Sequence, residues 1–149
     1  MMDPKLQKVR KRLYDEFPFY ANAALKIRTK EGAIAQLKLN PAQQILDKAV
    51  QKQLETEGKV RVIILKARQQ GLSTYVGGYL YHQVSQRKAC KALIVTHHAD
   101  STRALFDMTR RYHQNVPEIL QPHRKYSSRR ELSFDVLDSS FVVATAGGD

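Results

Sequence analysis

Apolar residues near the N-terminus recur at three- and four-residue spacing. In residues 25–39, apolar and polar residues alternate instead. The spacing predicts a short charged helix over residues 4–16, which Pro18 is expected to end. Residues 25–39 are predicted to form a β-hairpin, because two short apolar runs flank a turn at 30–32 that contains glycine. We therefore expect residues 1–39 to form an N-terminal extension made of a helix and a hairpin.

A longer helix and a buried strand are predicted next. Asn40 suits a helix cap and Pro41 a first helical turn, so a helix is expected to begin here and to end at Gly58. The following run, residues 60–65, is almost continuously apolar and β-branched. Such a run is typical of a strand that is buried on both faces of a sheet.

The rest of the chain alternates turns, helices and strands. After a polar turn at 66–73, the predicted elements are a helix at about 73–87, a strand at 92–96, a helix at 99–115, and strand candidates at 131–136 and 140–145. This order implies an α/β fold with a parallel sheet flanked by helices. In such sheets, ligands bind at the carboxyl ends of the strands.

The charge balance favours a polyanionic partner. The chain has 25 Lys and Arg residues against 14 Asp and Glu residues, which leaves a formal net charge of +11. This excess favours nucleic acid first, an anionic membrane surface second and free nucleotide third, and the alternative is a basic surface without a polyanionic partner. No stretch is long and apolar enough for a membrane span, and the single cysteine, Cys90, excludes an internal disulfide. We expect a cytosolic protein.

One segment combines the residue types that hold phosphate groups. It lies between the predicted buried strand and the next helix, and it reads Lys66, Ala67, Arg68, Gln69, Gln70, Gly71, Leu72, Ser73 and Thr74. A standard phosphate loop, G-x-x-x-x-G-K-[ST], occupies the same context. Gly71 takes the place of the second glycine and Ser73 that of the hydroxyl residue. Lys66 replaces the first glycine, and Leu72 stands where the usual lysine would be.

Although the lysine stands at position 66 and not at position 72, the segment retains the groups that a phosphate site requires. Backbone amides around Gly71, at the start of a helix, attract phosphate. Lys66 is placed to reach the β- and γ-phosphates, and Arg68 is a second cation that can contact phosphate or a neighbouring subunit. The alternative is an ordinary turn in which Gly71 only permits the bend, while Ser73 or Thr74 caps the helix.

The loop resembles the deviant Walker A segment of tailed-phage terminase large subunits, which are DNA-packaging ATPases. The resemblance extends upstream to Gln43 and covers most of residues 17–148. It implies a P-loop ATPase domain that binds ATP and Mg²⁺, with Gln43 on the adenine edge, residues 66–74 around the phosphates and Ser73 on Mg²⁺. The alternative for Gln43 is a solvated position in the first turn of its helix.

Two further segments are similar to the same family. Residues 93–101 match a strand and turn that couple the nucleotide pocket to DNA, which implies coupling roles for Thr96 and His97. Residues 140–148 resemble the strand and glycine turn that precede the family's acidic strand. His97 and His98 are adjacent and are expected to face opposite ways, which makes a zinc site improbable. A basic loop cluster is expected to contact DNA or a neighbouring protomer, or to be simply solvated; it comprises Arg124, Lys125, Arg129 and Arg130.

The chain departs from the family at the acidic strand, an apolar run ending in Asp-Glu that orders magnesium and the attacking water. No such run is present, and Asp135 and Asp138 are predicted to be hairpin residues. The chain ends before that strand is expected. We therefore expect residues 40–149 to be a partial P-loop ATPase domain without catalytic residues and without independent turnover.

The resemblance implies the N-terminal ATPase part of a viral DNA-packaging terminase large subunit, which couples ATP-Mg²⁺ binding to translocation of double-stranded DNA in the full protein. The implied partners are double-stranded DNA, the terminase small subunit, the portal and further copies of itself, in the cytoplasm of an infected or lysogenic bacterial host and without a membrane. A helicase-like, nucleic-acid-dependent ATPase is the second interpretation, although Leu72 argues against it. A non-enzymatic basic module that binds nucleic acid is the third.

Overall fold

A computed structural model describes residues 3–147. Its helices are α1 (Pro4–Asp15), α2 (Phe17–Ala24), α3 (Pro41–Glu57), α4 (Leu72–Gln86) and α5 (Ala99–Asn115), with a 3₁₀ turn at Glu118–Leu120. Its strands are β1 (Lys26–Arg28), β2 (Ile34–Gln36), β3 (Lys91–Thr96), β4 (Tyr126–Ser127), β5 (Glu131–Phe134) and β6 (Ser139–Thr145). Residues 1 and 2 of the expected domain 1–39, and residues 148 and 149 of the expected domain 40–149, lie outside the described residues. Gly148 of the expected glycine turn is one of them.

The strands form a hairpin and a separate mixed sheet. Strands β1 and β2 pair antiparallel, and the larger sheet has the order β3-β6-β5-β4. The expected parallel arrangement holds for β3 and β6, where Thr96 lies opposite Thr145, whereas β5 runs antiparallel to both β6 and β4. The reason is the short turn at 135–138, because so short a connection can join only antiparallel neighbours. Asp135 and Asp138 belong to this turn, which confirms their prediction as hairpin residues.

Residues 60–65 do not form the predicted buried strand. They are not assigned to any strand, and the side chains of Ile63 and Leu65 are 100% and 101% exposed. Strand β3 pairs with β6 on one side only, and no strand within residues 3–147 pairs with this run. A β-branched composition favours a strand only where a neighbouring strand accepts its hydrogen bonds and covers its side chains. The prediction from composition alone was therefore wrong.

The N-terminal extension confirms the predicted helix and hairpin but contains one more helix than expected. Helix α1 ends at Asp15, and Pro18 lies in the first turn of α2 instead of stopping a helix there. A first-turn proline costs little, since its missing N–H would have no partner inside the helix. Helix α2 then carries Phe17 and Tyr20 into the core, where they are 1% and 0% exposed.

Helix α4 lies at the centre of the molecule and organises its packing. Tyr75 and Tyr81 of this helix are buried in one cluster together with residues of the extension, of α5 and of the sheet. A Cβ placed at Gly77 would lie 2.7 Å from the Met108 side chain, so the glycine permits the close approach of α5. The extension and the larger sheet thus share one hydrophobic core. Within residues 3–147, no helix is long and apolar enough to cross a membrane.

Candidate functional site

Helix α4 starts directly at the candidate phosphate loop. Gly71 is its N-cap, with a left-handed φ of 71°, and the helix begins at Leu72, one residue earlier than expected. Ser73 and Thr74 lie inside the helix, so neither acts as the capping residue considered above. No side chain accepts a hydrogen bond from the amides of this first turn. Amides left in this way at a helix N-terminus favour an anion.

Lys66 and Ser73 face the same cavity beside this helix terminus. The cavity has a volume of about 220 Å³, and its lining residues are Ile64, Lys66, Leu72, Ser73, Val76, Ile94 and Leu105. The Lys66 ammonium donates only a long hydrogen bond of 3.5 Å, to its neighbour's carbonyl at Ala67. Both Lys66 and Ser73 are exposed to solvent. Lys66 and Ser73 thus both border this cavity, whose other lining side chains are apolar, and both remain accessible.

The middle of the loop forms an exposed turn. Residues 67–70 are all exposed, and Gln69 adopts a left-handed φ of 61°. Arg68 is not part of the cavity lining, so the structure does not bring it together with Lys66 and Ser73. The carbonyl of Thr74 accepts a 3.1 Å hydrogen bond from the Tyr112 hydroxyl, which connects the first turn of α4 to α5.

Gln43 lies beside the loop but is almost completely buried. Its side chain is 3% exposed, in contrast to the solvated position considered from the sequence. The carboxamide nitrogen donates a 2.7 Å hydrogen bond to the Gly71 carbonyl, and the carboxamide oxygen accepts one of 2.9 Å from the Asn40 amide. The adenine contact implied by the family resemblance stays a prediction, and both polar ends of this side chain already have protein partners.

The carboxyl ends of β3 and β6 carry a chain of hydroxyl groups. The Thr102 hydroxyl lies 2.6 Å from that of Thr96 and 2.8 Å from that of Thr145. The chain joins both strand ends to the first turn of α5. The rings of His97 and His98, exposed in the bend after β3, lie 4.4 Å apart between centroids. The expectation that they face opposite ways was wrong, since rings this close lie on the same side of the backbone, although His98 itself is extended (φ −134°, ψ 141°).

The basic loop cluster lies at the other edge of the sheet from β3. Arg124, Lys125, Arg129 and Arg130 flank the short strand β4 and precede β5, and all four side chains are exposed. Two intervening strands separate β4 from β3, on which Thr96 lies. The structure therefore does not bring the cluster together with the coupling residues predicted at Thr96 and His97.

Some residues at this site could not be recognised from the sequence. The Tyr75 hydroxyl donates a 2.8 Å hydrogen bond to the carboxylate of Asp47, which connects α4 to α3. Burial raises the pKa of Asp47, and the hydrogen bond from Tyr75 opposes that rise. The two residues are 28 positions apart in the chain. No local pattern indicates such a pairing, because only the packing of the two helices brings them together.

A second hollow lies away from the loop. Its volume is about 490 Å³, and it is lined by Pro18, Asn22, Lys38, Leu39, Gln44, Asp47 and Lys48. It is larger than the cavity at Lys66, but it contains no residue of the candidate loop. Among residues 3–147, no group of three or more His, Cys, Asp or Glu side chains is arranged to hold a metal ion.

Comparison with known proteins identifies a solved structure with a similar fold. No protein-family model and no curated protein matches the sequence. The crystal structure of the HK97 bacteriophage large terminase matches this chain with a TM-score of 0.71 over 91% of its length, at 15% sequence identity. The fold is that of a phage large terminase. The resemblance inferred from the phosphate loop is thereby confirmed at the level of the fold.

The similarity involves only part of the HK97 large terminase. This chain spans 28% of the length of the HK97 large terminase. The match shows a shared fold over 91% of this chain, and at 15% identity it assigns no role to an individual residue. The site residues on the terminase fold must therefore be argued from the geometry of this chain.

Proposed function

We propose that this chain is the nucleotide-binding part of a terminase-type ATPase and that it holds the triphosphate of ATP, with Mg²⁺, at residues 66–74. The observation that carries the proposal is the shared cavity of Lys66 and Ser73 beside the uncapped start of α4. A cation, a hydroxyl and free backbone amides are the groups that a magnesium-bound triphosphate requires. The similarity of the fold to that of the HK97 bacteriophage large terminase supports this assignment.

Each residue of the loop has a separate role in this proposal. The first-turn amides of α4 bind phosphate oxygens, and Lys66 neutralises the outer phosphates from the head of the loop. Ser73 supplies a hydroxyl oxygen to Mg²⁺, which commonly keeps water and phosphate oxygens as its other ligands. Bound Mg²⁺ contributes charge neutralisation at the phosphates. Arg68, exposed on the turn, is available to a phosphate or to a neighbouring copy of the chain.

The proposal extends to the longer terminase polypeptide of which this chain matches a part. There, binding of ATP-Mg²⁺ would be coupled to translocation of double-stranded DNA, together with a small subunit, a portal and further copies, in the cytoplasm of a bacterial host. Thr96 and His97 would couple the nucleotide-bound state of the site to the contact with DNA. The supporting observations are the hydroxyl contact that joins Thr96 to Thr102 of α5 and the hydrogen bond from Tyr112 of α5 to the Thr74 carbonyl of the loop.

Thermal unfolding of the chain tests whether it binds nucleotide. A ligand that binds only the folded state stabilises it by about 2.7 kcal/mol at a concentration of 100 Kd. We expect ATP with Mg²⁺ to raise the Tm, and AMP with Mg²⁺, which lacks the outer phosphates, to raise it much less. A basic module that binds only nucleic acid would show the same Tm in all conditions, and that result would refute the proposal.

A further inference from the structure

Asn40 and Gln43 form a reciprocal pair at the start of α3. The Asn40 side chain accepts a 2.9 Å hydrogen bond from the Gln43 amide, and the Gln43 side chain accepts one of the same length from the Asn40 amide. This capping box satisfies two amides that the helix leaves without partners. Each carboxamide uses its oxygen for the cap, so its nitrogen remains available as a donor.

Both remaining donors are directed at the phosphate loop. Gln43 Nε2 donates a 2.7 Å hydrogen bond to the carbonyl of Gly71, and Asn40 Nδ2 donates one of 3.2 Å to the carbonyl of Gln70. Two consecutive carbonyls of the loop are thus held by two side chains from one helix terminus. Because these carbonyls are held towards α3, the amides that follow them at the start of α4 remain free for an anion.

The two carboxamides also pack closely against Gly71. A Cβ placed at Gly71 would lie 2.9 Å from Gln43 Nε2 and 3.2 Å from Asn40 Nδ2. The same glycine has the left-handed φ that other residues rarely adopt. The pair and the glycine are therefore fitted to each other, and the loop conformation depends on all three.

These contacts conflict with a direct contact between Gln43 and a base. Recognition of an adenine edge by a carboxamide uses both its oxygen as acceptor and its nitrogen as donor. In this chain the Gln43 oxygen is bound to the Asn40 amide and the nitrogen to the Gly71 carbonyl, and the side chain is 3% exposed. A base could use these atoms only after both hydrogen bonds had broken.

We propose that Asn40 and Gln43 are positioning residues that fix the backbone of the phosphate loop, and that Gln43 supports triphosphate binding through Gly71 and not by reading the base. This inference rests on the proposed nucleotide site. It assigns to Asn40 a role beyond helix capping. It also implies that the contribution of Gln43 to binding affinity does not depend on which base the nucleotide carries.

A ligand without a base distinguishes the two roles of Gln43. Binding of ATP and of inorganic tripolyphosphate, each with Mg²⁺, is measured by titration calorimetry for the unaltered chain and for Gln43→Ala. Loss of one loop hydrogen bond is expected to weaken both ligands by the same factor, roughly three- to tenfold. A loss confined to ATP, with tripolyphosphate unchanged, would show that Gln43 reads the base and would overturn the inference.

Asn40→Ser isolates the loop contact from the helix cap. Serine caps helices well, so the α3 terminus is retained, but its side chain is too short to reach the Gln70 carbonyl. We expect the same equal loss for both ligands, with amide hydrogen exchange inside α3 and β3 unchanged because the helix cap is retained. Unaltered affinity for both ligands in this variant would contradict a positioning role for Asn40.

Gln44→Ala provides the matched control. Its carboxamide donates to the Leu39 carbonyl from the same first turn of α3 and makes no contact with the loop. This variant is expected to bind both ligands like the unaltered chain. If the unaltered chain binds neither ATP nor tripolyphosphate, the proposed function fails. If it binds both but Gln43→Ala affects only ATP, the function stands and the positioning role fails.

Discussion

The Tyr75 hydroxyl and the Asp47 carboxylate lie 2.8 Å apart, with Tyr75 as the donor. This bond connects α4, which begins at the phosphate loop, to α3, which carries the two side chains that contact the loop. Asp47 is only 8% exposed, so its carboxylate depends on protein donors in place of water. The relative position of the two helices is thus fixed close to the site.

Removal of this hydroxyl tests the connection between the helices. Tyr75→Phe leaves the buried carboxylate of Asp47 without its donor, and the free energy of unfolding is expected to fall by about 1–3 kcal/mol. Urea unfolding at neutral pH measures the change. Tyr79→Phe is the control, since Tyr79 lies one turn further along α4 with its ring 6.0 Å from that of Tyr75. Equal losses in the two variants would contradict a specific role for the Asp47 bond.

Two glycines with similar backbone geometry allow strain to be separated from crowding at the loop. Gly71 and Gly58 have φ values of 71° and 68°, but only at Gly71 would a Cβ meet other atoms, because nothing lies within 4 Å at Gly58. Each alanine variant carries the backbone cost of about 1–2 kcal/mol. We expect Gly71→Ala to lose more stability than Gly58→Ala, as measured by chemical unfolding, and to lose affinity for triphosphate as well. Equal effects on stability would exclude crowding by the two carboxamides.

Local signals predicted the parts of the fold that local interactions determine. The start of α3 at Asn40 and its end at Gly58 follow from capping chemistry, and both were found at the expected residues. The buried strand at 60–65 was wrong because a strand requires a neighbour that composition cannot supply. The antiparallel pairing of β5 with β6 follows from the short turn at 135–138, in agreement with the prediction of Asp135 and Asp138 as hairpin residues.

The sequence predicted the loop residues of the candidate site, but it did not predict the contacts that other elements make with the loop. The motif identified Lys66, Gly71 and Ser73, and the structure brings the first and last of these to one cavity. The contacts of Asn40 with Gln70 and of Gln43 with Gly71 span 30 and 28 positions. Sequence patterns report neighbours along one element, so contacts at this separation become visible only after the helices have packed.

The lysine at the head of the loop provides the most direct test of phosphate binding. Lys66→Ala removes a cation from the cavity, whereas Lys88→Ala removes an exposed cation from the turn after α4. A charged hydrogen bond contributes about 1.5–3 kcal/mol, so Lys66→Ala should weaken ATP-Mg²⁺ binding by roughly 10- to 100-fold. Fluorescent-nucleotide titration measures the affinities. Lys88→Ala should have little effect, and a comparable loss in both variants would argue against the loop assignment.

Burial of His82 makes the stability of the chain sensitive to acid. The ring is 0% exposed and lies 4.3 Å from that of Tyr20, and its Nε2 donates to the Leu13 carbonyl. Desolvation lowers the pKa of His82 from 6.5 to about 4. The unfolded chain therefore binds a proton that the folded chain rejects. The stabilising contribution is complete above pH 6.5 and declines as the pH falls towards 4.

A glutamine at position 82 should remove much of this dependence. His82→Gln retains an N–H donor for the Leu13 carbonyl but does not titrate. The loss of unfolding free energy between pH 7 and pH 4.5 is expected to be smaller in this variant by on the order of 2 kcal/mol. Urea unfolding at the two pH values measures it, with His97→Gln, an exposed position, as the control. An unchanged pH dependence would show that His82 is not the group responsible.

Salt dependence tests whether the basic loop cluster binds double-stranded DNA. Each phosphate contact contributes about 0.9 to the slope of log K against log salt. Replacement of Arg124, Lys125 and Arg129 by alanine should therefore weaken DNA binding at low salt and reduce that slope by up to about 2.7. Lys5, Lys8 and Arg10, exposed on α1, provide a control that removes the same charge. Fluorescence anisotropy with a duplex measures both sets. If the two triple variants change the slope equally, the net charge of the chain, and not the loop cluster, determines DNA binding.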